Sequence, residues 1–156
     1  MTTPSAKAKE VLQKYWDLTL PVNVGSIAKQ AGAHLILEPL EGFSGSFEYL
    51  NGKPTIRVSS TEALVRQRFT IAHELGHFVL GHPDSYRDGP DNFSSQNLDP
   101  IEVAANRFAA EILMPEQLIK YFVFKQGVTA ISKLAKSADV SEVAMGYRLR
   151  NLGLIS

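Results

Sequence analysis

The chain of 156 residues contains no cysteine. A disulfide framework and a thiolate metal site are therefore excluded, and nothing in the composition requires an oxidising compartment. Acidic and basic side chains balance at 16 each, so no general attraction to nucleic acid is expected. No apolar run is long enough to span a bilayer, and the first residues lack the apolar core of a secretory signal. These absences lead us to expect a cytoplasmic protein without a membrane partner.

Apolar periodicity and turn residues predict a helical start followed by a small sheet. Two helices are expected over residues 5–18 and 24–31, because Pro21 breaks the first and Gly32 stops the second. Three strands are expected over residues 34–40, 46–50 and 55–59. The dipeptide Asn51-Gly52 predicts a tight hairpin turn between the last two strands.

A long helix is expected after the sheet. Ser59 and Glu62 have the spacing of a capping box, which would begin this helix, and Gly81 and Pro83 would end it. Residues 82–100 then form a long irregular segment. Because a loop of this length in a compact domain is often functional or mobile, one interpretation is that it borders a substrate groove, and a floppy connection without a role is the equally weighted alternative.

The most informative feature is the pentapeptide His73-Glu74-Leu75-Gly76-His77 inside the long helix. Histidines at i and i+4 lie on the same helix face, where two imidazoles can bind one metal ion. A glutamate after the first histidine is placed beside the water that such a site keeps, and it can act as general base. We therefore predict that His73 and His77 are metal ligands and that Glu74 is the catalytic base.

A second helix, opened by Asp99 and Pro100, supplies a candidate third ligand. Glu102 and Asn106 are again i and i+4, so they share a face. A carboxylate commonly completes a zinc site with two histidines, and an amide one turn away can accept the other ring N–H of a ligand histidine. We predict these two roles for Glu102 and Asn106. An alternative stays open, since Asp99 and Glu102 also have the spacing of a capping box, and Glu111 is a weaker candidate ligand.

Two stretches of the chain resemble the ImmA/IrrE family of small bacterial and phage zinc metallopeptidases. The matching residues are 68–77, which include the pentapeptide, and 102–115, which match at more positions than a five-residue motif. The likeness covers roughly residues 21–155 and includes the C-terminal residues 149–155. Carried over by position, it implies that His73, His77 and Glu102 are the zinc ligands and that Glu74 is the base.

The resemblance also implies a fold and a function. We expect an α+β fold, a mainly helical zincin-like domain with a small, largely antiparallel three-stranded sheet. Residues 1–156 would form a single metallopeptidase domain, with residues 127–156 as a helical C-terminal subdomain packed on it. The family includes proteases that cleave a helix-turn-helix repressor and so release mobile-element or stress-response genes. A zinc endopeptidase with such a repressor as its protein substrate is therefore implied, and the alternative is a non-proteolytic, toxin-like or anti-repressor partner that acts by binding.

The expected mechanism combines the metal with the base. Zinc would polarise the scissile carbonyl, while Glu74 takes a proton from the attacking water and passes it to the leaving amine. The substrate would lie extended along an edge of the sheet, at residues 46–50 or 55–59, and pair with it by main-chain hydrogen bonds. Histidine and carboxylate ligands also suit manganese, which stays open beside zinc.

The residue that stabilises the developing oxyanion stays open. Tyr86, His82 and Tyr49 are the candidates for this role or for substrate contacts. His82 follows His77 by five positions, whereas the third histidine of a metzincin site would follow by six, so the spacing disfavours His82 as a ligand. A histidine at the end of a helix is also favoured by the helix dipole alone, which is our preferred explanation of His82.

Residues 129–152 have the pattern of a helix, a short turn and a second helix. Four basic residues add positive charge there: Lys133, Lys136, Arg148 and Arg150. This pattern also occurs in DNA-binding proteins. Because the overall charge is neutral and such helix pairs commonly pack on a core, we expect packing rather than direct nucleic-acid binding.

Overall fold

The computed structural model describes residues 3–83, 86–93 and 99–155. The helices in these ranges are α1 (Pro4–Tyr15), α2 (Val24–Gln30), α3 (Leu64–Val79), α4 (Pro100–Leu113), α5 (Glu116–Phe124), α6 (Ile131–Ala138) and α7 (Glu142–Asn151). The strands are β1 (His34–Glu38), β2 (Gly45–Leu50), β3 (Lys53–Ser59) and β4 (Tyr86–Asp88), and a 3-10 turn, Pro90–Phe93, follows β4. None of the described helices combines the length and the apolar character that crossing a bilayer requires.

The four strands form one mixed sheet in the order β1-β3-β2-β4. β1 runs parallel to β3, whereas β2 is antiparallel to both β3 and β4. The predicted hairpin between β2 and β3 is confirmed: Leu50 pairs with Lys53, and Asn51 and Gly52 both have the positive φ angles that this tight turn requires. The α+β class and the largely antiparallel sheet are confirmed.

The sheet differs from the prediction by one strand. β4 lies inside the segment 82–100, which we expected to be irregular, and it adds a fourth strand to the three that were predicted. A strand of three residues is too short to show a period-2 pattern, and it is defined by its pairing with β2. As a result β2 and β3, the two strands considered for a substrate edge, are both internal, and β1 and β4 are the outer strands.

Two predicted helix ends are wrong. α1 stops at Tyr15, because Trp16 has an extended backbone although its N–H still bonds to the Leu12 carbonyl at 2.9 Å. The capping box at Ser59 and Glu62 is absent: α3 begins after Ala63, and Glu62 Oε2 instead accepts a hydrogen bond from Ser44 Oγ at 2.9 Å. Tertiary contact with the sheet therefore overrides a local spacing signal here.

Close contact between α3 and α4 places the two motif-bearing helices side by side. Both helices bury apolar side chains, among them Leu75, Phe108 and Ile112. In the same core these pack with Phe47 and Ile56 of the sheet. Gly76 allows the close approach, since a Cβ atom there would lie 3.3 Å from both the Cα and the carbonyl oxygen of Ala105. The glycine of the pentapeptide is therefore a packing requirement between the two helices.

The C-terminal helices α6 and α7 also contribute to this core through Leu134, Ala138, Met145 and Leu149. Arg148 is buried: its Nη2 pairs with Glu111 Oε1, and its Nε donates to the Met114 carbonyl at 3.0 Å. These contacts support packing as the role of residues 129–152. They also give Glu111 a structural partner.

Candidate metal centre

His73 and His77 lie on the buried face of α3, and both side chains are 0 % exposed. Their Nε2 atoms are 3.1 Å apart, and the two rings meet edge to face. The i and i+4 spacing on one helix thus directs two imidazole nitrogens at a common point, as expected from the sequence.

Glu102 reaches the same point from α4. Its Oε2 lies 2.9 Å from His73 Nε2, and its Oε1 lies 3.2 Å from His77 Nε2. The N-terminus of α4 is capped by Asp99, whose Oδ1 accepts from the Ile101 N–H at 3.0 Å. Glu102 therefore faces the histidines, and the capping-box alternative does not describe where its carboxylate lies.

Asn106 supports His73 on the other side of the ring. Its Oδ1 lies 2.7 Å from His73 Nδ1, and its Nδ2 donates to the Asn92 carbonyl at 2.9 Å. Because an amide oxygen only accepts, His73 Nδ1 carries a proton in this contact, so Nε2 is the nitrogen that can bind a metal ion. Asn106 thus lies one turn after Glu102 on the same face of α4, as the i+4 spacing predicts.

His82 makes the corresponding contact with His77. The two Nδ1 atoms are 2.8 Å apart, so His82 lies on the Nδ1 side of His77, whereas Glu102 lies on the Nε2 side. Burial lowers the pKa of His82, and repulsion from His77 lowers it further, so the neutral form that can accept a proton is favoured. Sequence reasoning considered His82 for the oxyanion or for the helix end and did not assign it this contact.

Of the two tyrosine candidates, Tyr49 lies away from these residues. The ring of Tyr49 packs edge-on against Phe47. Tyr49 lies four residues further along β2 than Gly45, which pairs with Asp88 of β4. That separation corresponds to about 13 Å along a strand. Tyr86 belongs to β4 and pairs with Phe47, and its side chain lies outside the described part of the structure.

Asp88 is the site residue that the sequence did not reveal. This last residue of β4 is 0 % exposed, and its Oδ2 lies 3.4 Å from His73 Nε2 and 3.3 Å from His77 Nε2. Its Oδ1 accepts a hydrogen bond from Asn92 Nδ2. The position lies in a segment that also contains Asp84, Asp91 and Asp99, and no spacing rule distinguishes one of these acids from another.

Glu74 is completely buried next to this group. Neither of its carboxylate oxygens has a hydrogen-bond partner among the described residues. Burial raises the pKa of Glu74 well above its usual value, and the neighbouring Asp88 and Glu102 carboxylates raise it further. Burial alone would lower the pKa of His77, but hydrogen bonds with Asp88 and Glu102 outweigh this and raise it to about 9. The raised pKa of His77 favours its protonated form, whose positive charge offsets the charge of the neighbouring carboxylates.

The donor set fits a divalent metal ion. His73, His77, Asp88 and Glu102 each offer one atom, and these atoms all lie within 4.8 Å of one another. Ligand atoms around a tetrahedral zinc at about 2.0–2.1 Å would be about 3.3–3.4 Å apart, close to the 2.9–3.4 Å found between the histidine nitrogens and the carboxylate oxygens. Asp88 Oδ2 and Glu102 Oε1 are buried and lie 3.2–3.4 Å from the histidine nitrogens, where a cation would neutralise both carboxylates. Imidazole and carboxylate donors suit zinc and manganese alike.

Comparison with known proteins points to peptidases. The sequence model of a peptidase family, described as the IrrE N-terminal-like domain, matches residues 28–150. The chain is 38 % identical over 122 residues to the radiation response metalloprotease IrrE of Deinococcus radiodurans. The aligned region covers 76 % of this chain and 37 % of that relative. The IrrE of Deinococcus deserti is 33 % identical over 128 residues, which covers 74 % of this chain and 46 % of the relative. The metallopeptidase ImmA of Bacillus subtilis is 25 % identical over 135 residues, with 86 % of this chain and 79 % of the relative covered. The chain thus spans less than half the length of the two IrrE proteins.

Proposed function

We propose that this chain, which belongs to the peptidase family of the IrrE N-terminal-like domain, is a metal-dependent endopeptidase. The relatives named above are metalloproteases or metallopeptidases, and two of them extend well beyond the matched region. We further propose that residues 1–156 act as a single metallopeptidase domain, with residues 127–156 as its C-terminal helical part. The burial of Leu134, Met145 and Leu149 in the common core supports this division.

One observation carries the proposal. Two imidazole nitrogens from α3 and a carboxylate from α4 converge within 2.9–3.2 Å of one another. The carboxylate of Glu74 is buried beside them and has no hydrogen-bond partner among the residues that the structure describes. A buried polar group without a partner costs stability, on the order of 1–3 kcal/mol or more for a charged one. A fold that keeps Glu74 in such a place is best explained by a reaction in which Glu74 takes part.

The residues that would hold the metal are His73, His77 and Glu102. A zinc ion bound there supplies a Lewis acid that polarises a carbonyl and acidifies water. Asn106 and His82 accept the Nδ1 protons of the two histidines and so keep both Nε2 lone pairs directed inward.

Glu74 moves the proton in the proposed reaction. Its carboxylate takes a proton from the water that attacks the peptide carbonyl and delivers it to the nitrogen of the departing amine. Burial raises the pKa of Glu74, as do the neighbouring Asp88 and Glu102 carboxylates, and a raised pKa strengthens a carboxylate as a general base.

The proposed substrate is a helix-turn-helix transcriptional repressor, and the proposed metal is zinc, with manganese as the alternative. The repressor rests on the resemblance to the ImmA/IrrE family, some of whose members cleave such proteins. The donor set of two imidazoles and a carboxylate supports zinc. Cleavage of the repressor would release the genes that it controls.

The test is incubation of the purified protein with the repressor encoded nearest to its gene, in the presence of zinc or manganese. Mass spectrometry of the products should show one discrete cut by the wild type and none by Glu74→Gln. Glu10→Gln, a surface change on α1 that removes the same charge, is the matched control and should cut normally. If Glu74→Gln still relieves repression in a reporter assay, binding alone suffices and the proposed proteolysis is wrong.

A further inference from the structure

The metal centre is closed in this structure. His73, His77, Glu74 and Asp88 are each 0 % exposed, so neither water nor a peptide reaches them from solvent. An endopeptidase must admit a polypeptide to this place. Some part of the protein therefore has to move before the proposed reaction can occur.

The number of protein donors points to the same conclusion. Catalytic zinc sites commonly keep three protein ligands and leave one position for water, whereas structural sites are filled by four. Here Asp88 adds a fourth donor to His73, His77 and Glu102. Its Oδ2 lies 3.4 Å from His73 Nε2 and 3.3 Å from His77 Nε2, so it occupies the donor position that a catalytic site leaves to water. The Asp88 carboxylate thus stands where water is needed.

The strand that carries Asp88 lies where an extended substrate would bind. β4 pairs antiparallel with β2, through Gly45 with Asp88, residue 46 with residue 87, and Phe47 with residue 86. The Ser44 N–H also donates to the Asp88 carbonyl at 2.7 Å. Without β4, β2 would be an outer strand beside the metal centre and would have main-chain groups free to pair with a peptide.

Asn92 and Phe93, which follow β4, hold this segment against the site. The Asn92 side chain donates to Asp88, and its carbonyl accepts from Asn106. The Phe93 ring packs edge to face against His73, with ring centres 4.8 Å apart, and against Phe69 at 5.3 Å. β4 itself has three residues and pairs with a single strand. Its short length and its position at the outer edge of the sheet make β4, with the residues that follow it, an element that can detach while the rest of the fold persists.

From these four observations we infer that residues 86–93 are a built-in inhibitory segment. Asp88 acts as a fourth metal ligand that excludes water, and β4 occupies the place of the substrate strand on β2. A repressor or other peptide must displace the segment, which would limit cleavage to substrates that pair with β2 strongly enough. This inference rests on the proposed metal centre and adds a regulated closed state to it.

The first test compares the wild type with Asp88→Ala, each loaded with Co²⁺ in place of zinc, with acetohydroxamate as a small metal-binding probe. We expect removal of a ligand to weaken Co²⁺ binding by roughly ten-fold or more. We expect the same change to strengthen acetohydroxamate binding by roughly ten-fold or more, because the probe no longer competes with Asp88. The visible absorption spectrum reports both equilibria. Asp17→Asn, which removes an exposed carboxylate near α1, should match the wild type.

A purely structural role for Asp88 would weaken Co²⁺ binding without improving the access of acetohydroxamate. Unchanged or weaker acetohydroxamate binding by Asp88→Ala therefore overturns this inference, and metal binding by the wild type would leave the proposed endopeptidase standing. If the wild type binds no Co²⁺ at all, the metal centre itself is wrong, and both proposals fail.

The second test loosens the segment without removing a ligand. Phe93→Ala deletes the ring that packs on His73 and Phe69 and leaves all four metal-binding side chains in place. We expect Co²⁺ affinity to stay within about three-fold of the wild type and acetohydroxamate binding to strengthen, because the open state becomes more populated. Equal acetohydroxamate binding by Phe93→Ala and the wild type would overturn the role of residues 86–93 as the cover.

Discussion

The Nδ1 atoms of His77 and His82 lie 2.8 Å apart, so one imidazole donates a proton to the other. His77 directs its Nε2 at Glu102 and Asp88, and it can bind a metal through Nε2 while its Nδ1 carries the proton. His82 must then accept, and its lowered pKa, caused first by burial and then by the charge of His77, favours the neutral accepting form.

This contact predicts that His82 orients a metal ligand. We expect His82→Ala to weaken zinc binding by roughly 10–100-fold, because a ligand histidine without its second partner loses its fixed orientation and tautomer. Competition with a chromogenic chelator measures the affinity. His82→Asn keeps an accepting oxygen near Nδ1 and should recover part of the loss. Equal zinc affinity of His82→Ala and the wild type would show that the contact does not matter.

Asn106 should have the same effect on His73. We expect Asn106→Ala to weaken zinc binding by roughly 10–100-fold, since the 2.7 Å contact with His73 Nδ1 is lost. Asn106→Asp still accepts from His73 but cannot donate to the Asn92 carbonyl. The aspartate variant should therefore bind zinc better than the alanine variant, and the reverse order would contradict the assigned role.

Gly76 should tolerate no side chain. A Cβ atom there would lie 3.1 Å from Phe108 Cδ1 and 3.3 Å from the backbone of Ala105, so Gly76→Ala must push α4 away from α3. We expect a loss of about 1–3 kcal/mol in the free energy of unfolding, measured by urea denaturation. Gly146→Ala is the control, because a Cβ atom at Gly146 in α7 meets nothing within 4 Å. It should raise stability by up to about 1 kcal/mol through helix propensity.

The two arginines near the end of α7 should behave differently. Arg148 is buried against Glu111 and the Met114 carbonyl, so Arg148→Ala leaves a buried carboxylate unpaired and should cost about 3–5 kcal/mol of stability. Arg150 is exposed, with its guanidinium 5.6 Å from the centre of the Tyr147 ring. Arg150→Ala should cost less than about 1 kcal/mol. Similar losses for the two variants, measured by chemical denaturation, would contradict this packing.

The metal-free protein should lose stability as the pH rises. Burial lowers the pKa of His77, but hydrogen bonds with Asp88 and Glu102 outweigh it and raise the pKa from 6.5 to about 9. The folded protein thus holds this proton more tightly than the unfolded chain. The resulting stability is fully present below pH 6.5 and is lost as the pH rises through about 9.

We therefore expect the free energy of unfolding, measured with a chelator present, to fall by on the order of 1–3 kcal/mol between pH 6.5 and 9. Saturating zinc should reverse the trend, because protons and metal compete for the same nitrogens. A metal-free protein that is equally stable at both pH values would contradict the charge balance described for the centre.

Local signals predicted the residues that regular spacing controls. His73 and His77 share a face because they are one helical turn apart, and Glu102 and Asn106 do so for the same reason. Asn51-Gly52 forms its hairpin because few other dipeptides accept two positive φ angles. The proposed roles of these site residues in metal binding and catalysis stay predictions, although the structure places the four side chains together.

Contacts between distant segments could not be predicted in this way. Ser59 and Glu62 have the spacing of a capping box but do not form one, because the Ser44 hydroxyl donates to Glu62 instead. His82 was recognised as a histidine near the motif, but its pairing with His77 depends on how the chain turns after α3. Tyr49 was a candidate by residue type alone, and its place along β2 separates it from Asp88.

The sequence by itself determined the helix that carries the two histidines, the carboxylate and amide of the neighbouring helix, and the hairpin of the sheet, because helical periodicity and turn chemistry are local properties of the chain. Only the tertiary structure decided that Gly76 brings α4 against α3, that Arg148 turns inward to Glu111, and that Asp88 lies beside His73. These three depend on pairing between segments far apart in sequence, above all of β4 with β2, and three residues of strand contain too little pattern to specify such a partner.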